Sequence, residues 1–106
     1  MQVVRLSPAA ERDLDAILDY IAQDSYPRAK AFADELYAAC MALAVLPRAH
    51  QQRPDLGPGL RQKIHENYVI FFRIGPDEIR VERILHGARD LPALMRPIGE
   101  NEGESG

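Results

Sequence analysis

One cysteine and no tryptophan in 106 residues remove several protein classes at the outset. Cys40 has no partner within the chain, so an internal disulfide is impossible, and nothing near it has the spacing of a metal-binding or redox pair. A reducing compartment is expected. Long apolar runs are missing as well. No stretch approaches the ~20 apolar residues of a membrane span, and Met1-Gln2-Val3-Val4-Arg5 lacks the apolar run that follows the basic start of a secretory leader. The expectation is a cytoplasmic protein with no membrane association. His50, His65 and His86 lack metal-ligand spacing, no glycine-rich phosphate loop occurs, and no serine, histidine and acid stand out as a catalytic set. The residues therefore lead us to expect no cofactor, no metal and no catalytic residue.

What is present suits one packed domain. Apolar residues make up 46% and charged residues 27%, the balance of a globular chain with a core and not of a disordered one. From its length we expect no second domain. We expect a single domain over residues 3–97 and a polar, glycine-bearing flexible tail over 98–106. Net charge is −3, but it is unevenly spread. Residues 1–45 carry 4 basic and 7 acidic groups, residues 46–99 carry 9 and 6, and Glu100, Glu102 and Glu104 follow. The modest positive excess after residue 46 favours an anionic partner surface without announcing nucleic acid.

Periodicity outlines the elements. Val-rich Gln2–Leu6 reads as an opening strand, and Ser7-Pro8 supplies a helix cap and a first-turn proline. Leu14, Ile17, Leu18 and Ile21 then form one helical stripe. Asp24-Ser25-Tyr26-Pro27 breaks the pattern before a second helix through Phe32, Leu36, Leu43 and Leu46, closed by Pro47. Two such helices should fold into a hairpin. Pro47 to Gly59 reads as an irregular loop. Strands are expected over 60–65, 68–74 and 78–86 as an antiparallel meander, with the middle one apolar on both faces and so central. A short helical turn is expected around Leu91 to Met95. The fold class is α+β: an N-terminal strand, a helical hairpin and a three-stranded antiparallel meander.

Alternation in the first meander strand puts Leu60 and Ile64 on one face and Arg61, Lys63 and His65 on the other, read here as the open face of a peripheral strand. With Arg73, Arg83, His86 and Arg89 these residues form either a surface that grips phosphates or carboxylates, or solubilising charge offset by Glu66, Glu82 and Asp90. His86 is either a proton-transfer group or a hydrogen-bonded strand terminus. Cys40, in register with Leu36 and Leu43, is expected in the core, and packing is the expected role of Tyr20, Tyr26 and Tyr37.

Leu6-Ser7-Pro8-Ala9-Ala10-Glu11-Arg12-Asp13-Leu14, Tyr68-Val69-Ile70-Phe71-Phe72-Arg73 and above all Arg83-Ile84-Leu85-His86-Gly87-Ala88-Arg89-Asp90, in this order, resemble the ParE-type toxins of the RelE/ParE toxin-antitoxin superfamily. The resemblance spans residues 3–91. It implies the toxin of a type II toxin-antitoxin pair, neutralised by a cognate antitoxin and acting on DNA gyrase by binding. The alternative within the superfamily is a ribosome-dependent mRNA endoribonuclease of the RelE type. Arg61, Lys63 and Arg89 match basic positions of that branch, but Val69 stands where it tends to place an arginine, and no Tyr or His follows His86. The ParE reading places target contacts at Arg61, Lys63, Arg83, His86 and Arg89, with the 87–96 segment contributing. It places antitoxin contacts at Leu14, Ile21, Phe32 and Leu36.

Overall fold

A computed structural model describes residues 2–89 and 91–95. The chain runs β1 (Val3–Leu6), α1 (Pro8–Ala22), α2 (Tyr26–Met41), β2 (Gln51–Gln52), β3 (Arg61–His65), β4 (Tyr68–Ile74) and β5 (Glu78–His86), with a helical turn at 91–95. The strands make one five-stranded sheet in the order β1-β5-β4-β3-β2, in which β1 lies parallel to β5 and the other pairs are antiparallel. The three meander strands fall where alternation placed them. The proposed tail at 98–106 lies outside the described residues.

Both helices start at a serine cap, the first where Ser7-Pro8 predicts it and the second at Ser25, within the expected break. Ser7 Oγ accepts from the Ala10 N–H at 3.0 Å, with Pro8 at the first helical position. Ser25 Oγ accepts from the Arg28 N–H at 3.3 Å. α2 is shorter than its apolar period suggests. It ends at Met41, tightens into a 3-10 turn at Ala42–Ala44, and is broken by Leu46, which adopts the left-handed region (φ 52) ahead of Pro47. Leu43 still reaches the core, whereas Leu46 is exposed. The loop from Pro47 is also more ordered than expected. It contains a 3-10 turn at Pro47–Ala49 and the two-residue strand β2, which pairs Gln51 with Gln62 and Gln52 with Arg61. A pair this short leaves no alternation to read.

The helical hairpin covers one face of the sheet. There Ile70, Phe72, Ile79, Val81 and Ile84 meet Ile17, Leu36, Cys40 and Leu43. The opposite face carries a smaller core, in which Leu60, Val69, Phe71 and Leu85 are covered by Leu56 from the loop and by Met95, with Leu91 and Leu94 beside it. β4 is buried on both sides, as its two apolar faces require. A bulge in β5 decides which side chains reach which layer. Phe71 pairs with Arg83 but Phe72 with Val81, so Glu82 is the extra residue. Val81 and Ile84 thereby both face the helices, and Arg83 and Leu85 face away. Glu82 is held at the bulge by Arg73 Nη1 at 3.2 Å and Arg80 Nε at 3.4 Å.

Beyond Leu6, β5 loses its strand neighbour, and α1 takes over that edge. The Ser7 N–H donates to Val81 O (2.9 Å) and Ser7 Oγ to Glu82 O (2.8 Å), while Asp13 Oδ2 accepts the Ile84 N–H at 2.9 Å. An exposed strand edge is converted into a seam of side-chain bonds.

Candidate functional site

The proposed cationic face of β3 does not stand open. Arg61, Lys63 and His65 pair with Phe72, Ile70 and Tyr68, and this is the sheet face that the helices cover. Arg61 Nη1 donates to the carbonyls of His50 (2.8 Å) and Arg48 (3.2 Å). Lys63 Nζ donates to Ala39 O at 3.1 Å, near the end of α2, where the helix dipole favours a cation. His65 packs its ring against Phe32 with centroids 5.8 Å apart. The inference from alternation failed because Leu60, taken as the mark of the core side, is buried in the second core on the far face, while Ile64 beside it is 65% exposed. Two cores on opposite faces make one apolar residue an ambiguous guide.

Arg83 is also committed. Its Nε and Nη2 donate to the two oxygens of Asp13 at 2.8 and 2.9 Å, and Nη1 donates to Leu94 O at 3.2 Å. Hydrogen bonding to Asp13 holds the guanidinium pKa above its ordinary value. This is a forked, partly buried ion pair that ties α1, β5 and the 91–95 turn together. Sequence reasoning missed Asp13, because 70 positions separate the partners and neither has a local pattern.

His86 takes the strand-terminus reading. Its Nδ1 accepts from the Ala88 N–H at 3.1 Å, its ring meets Tyr68 edge-on at 5.3 Å, and the Gly87 N–H donates to Asn67 O at 2.8 Å. Arg89 is exposed, and its N–H donates to His86 O at 3.1 Å. Asp90 and Arg96 lie outside the described residues. Of the five target-contact residues, only His86 and Arg89 share an accessible site.

That site is an open groove of 830 Å³ between the hairpin and the Tyr68/His86 end of the sheet. Ile21, Phe32 and Tyr68 give it an apolar lining, Arg28 and Arg89 are its cations, and Glu35 and Glu66 are among its anions. Tyr20 stands 70% exposed beside it. Burial first, and then Tyr20, raises the pKa of Tyr68, so its hydroxyl stays neutral at physiological pH. An apolar lining with charges of both signs accommodates an amphipathic peptide segment. Among the four residues expected to meet an antitoxin, Ile21 and Phe32 line this groove and Leu14 packs partly buried on the main core. Leu36 is fully buried and presents no surface. Tyr20, Tyr26 and Tyr37 are not packed as expected either, being 70%, 71% and 51% exposed. Cys40 is buried as predicted, and burial raises its thiol pKa to about 11, so it remains protonated at neutral pH.

His50, next to Arg61, gives a pH prediction. Burial, then Lys63, then Arg61, lower its pKa below the ordinary 6.5. Folding therefore favours the neutral ring. Its stabilising contribution is complete above the unfolded value and is lost as pH falls through the lower folded value. Thermal melts in mildly acidic and neutral buffer should show a smaller acid-induced drop for His50→Gln than for the parent chain.

No helix among the described residues is long and apolar enough to cross a membrane. The model of the ParE toxin of the type II toxin-antitoxin system parDE matches residues 4–91. Toxin ParE3 of Caulobacter vibrioides is 27% identical over 95 residues, covering 89% of this chain and 94% of that protein. A structure of the chromosomal ParDE toxin-antitoxin system from P. aeruginosa superposes with a TM-score of 0.71 at 26% identity, over 81% of this chain and 96% of its own. With the match running from β1 past the end of β5, the chain belongs to the ParE toxin family of type II toxin-antitoxin systems.

Proposed function

We propose that this ParE-type toxin inhibits DNA gyrase by binding and not by turnover, and that its cognate antitoxin neutralises it by laying an amphipathic segment into the groove. The observation that carries the first part is where the cations are spent. Arg61 and Lys63 donate to backbone carbonyls and Arg83 to Asp13. A nuclease of the RelE type needs such groups directed at a pentavalent phosphate beside a proton-transfer residue. Here two of the three basic positions that match that branch, Arg61 and Lys63, brace the fold.

Gyrase contact then falls to exposed Arg89 and the segment that follows it. Purified chain should block supercoiling at near-stoichiometric ratios. Arg89→Glu should need about tenfold more protein for the same block, because reversing a charge at an interface rim weakens encounter and complex together. Its melting temperature should stay unchanged, since its side chain is exposed. Full supercoiling at toxin excess would count against a gyrase target.

A further inference from the structure

We propose that Glu35, His65 and Glu66 form a binding site for one divalent transition-metal cation of the zinc class. The three residues come from α2, the end of β3 and the β3–β4 turn, and both carboxylates line the groove. His65 Nε2 lies 3.6 Å from Glu35 Oε1 and 3.9 Å from Glu66 Oε2, and the three donor atoms all fall within 4.8 Å of one another. Both separations are too long for hydrogen bonds. Nε2 is nonetheless buried and has no hydrogen-bond partner among the described residues.

That combination is unusual, because buried polar atoms are nearly always paired. An N–H at this position would point at carboxylates out of reach, and a lone pair would face two like-signed oxygens. A cation placed among the three satisfies all of them. Zinc bonds of about 2.0–2.2 Å in a tetrahedron set ligand atoms roughly 3.3 Å apart, so the two His65 separations of 3.6 and 3.9 Å need to contract by about 0.3 and 0.6 Å, and the carboxylate oxygens, within 4.8 Å of each other, by about 1.5 Å at most. The glutamates can supply that movement, with side chains 55% and 60% exposed. The imidazole is the fixed member, held by its strand and by the Phe32 ring.

The donor set selects the ion. An imidazole nitrogen with two carboxylate oxygens suits zinc and its neighbours and is a poor match for magnesium or calcium, which prefer oxygen alone. Three protein ligands leave a fourth position for water or for a side chain of whatever fills the groove. Histidine spacing in the sequence gave no hint of the site, because the ligands are brought together by α2 folding over the sheet.

Isothermal titration of chelator-treated full-length chain with zinc chloride tests this, with magnesium chloride as comparison. The expected result is one equivalent of zinc bound, no magnesium, and a rise in melting temperature with zinc. Glu35→Gln and Glu66→Gln should each weaken zinc binding by about tenfold or more. Both should leave the zinc-free melting temperature nearly unchanged, as exposed positions allow. Absence of zinc binding, or binding of equal strength in both variants, would overturn the proposal. So would a cluster that responds only to protons, seen as variant melting temperatures that diverge from the parent in acid with no effect of zinc.

Discussion

Asp13→Ala is expected to cost roughly 3 kcal/mol of folding stability, among the largest effects of any polar substitution in the chain. Asp13 makes three bonds at once: both oxygens accept from Arg83, and Oδ2 also accepts the Ile84 N–H at the edge of β5. The side chains of Arg83 and Asp13 are only 19% and 13% exposed. Removing the carboxylate therefore strands a guanidinium in a poorly solvated place and leaves a backbone donor without its acceptor. In a domain of this size the melting temperature should fall by about 10 °C or more. Asp13→Asn, which keeps the acceptor for Ile84 but not the charge, should cost less. A double-mutant cycle with Arg83→Ala separates the ion pair from the edge cap, and additive losses would mean that the two residues act independently.

Ala31→Arg should abolish neutralisation while sparing toxicity. Ala31 is exposed on α2 and lines the groove, so a long cationic side chain there obstructs the groove without touching the core. If an amphipathic antitoxin segment seats on Ile21 and Phe32, blocking its path should cost at least about 2 kcal/mol, or roughly 30-fold in affinity. Direct binding to the antitoxin and growth rescue on coexpression both read the outcome. Unchanged affinity and rescue would place the antitoxin elsewhere, most simply along the sheet edge at β1. Arg89→Glu is the complementary variant: it should need about tenfold more protein to block gyrase, and because Arg89 also lines the groove, its antitoxin affinity reads whether that arginine serves both partners. The two variants together test whether Ala31 and Arg89, which line the same groove, serve different partners.

The elements were legible because each rests on local chemistry. Ser7-Pro8 marks the first helix start through a side-chain cap, Asp24-Ser25-Tyr26-Pro27 breaks the helical pattern ahead of the second, and the doubly apolar run from Tyr68 to Ile74 can only be a central strand. The orientation of β3 was not legible. Its apolar marker Leu60 belongs to a second core that depends on a turn at 91–95, far away in sequence. The bulge at Glu82 was equally hidden, since it shifts the β5 alternation through bonds to Arg73, Arg80 and Ser7 that no local pattern predicts. The resemblance to ParE toxins pointed to the family correctly while leaving the contact residues to geometry. Arg61, Lys63 and Arg83 proved to be braces, and the accessible features are the groove and Arg89. Tyrosines assumed to be packed stand outside, because helix periodicity shows which stripe is apolar but not how far the opposing sheet extends beneath it.

The central claim is that this toxin arrests its target by occupying it, with its buried-side cations holding the fold together. Brief induction in growing cells, with chromosomal breakage and transcript integrity scored in the same samples, tests it most directly. Broken DNA with intact transcripts is the predicted result. Transcripts cut during translation, with chromosomes whole, would contradict the account.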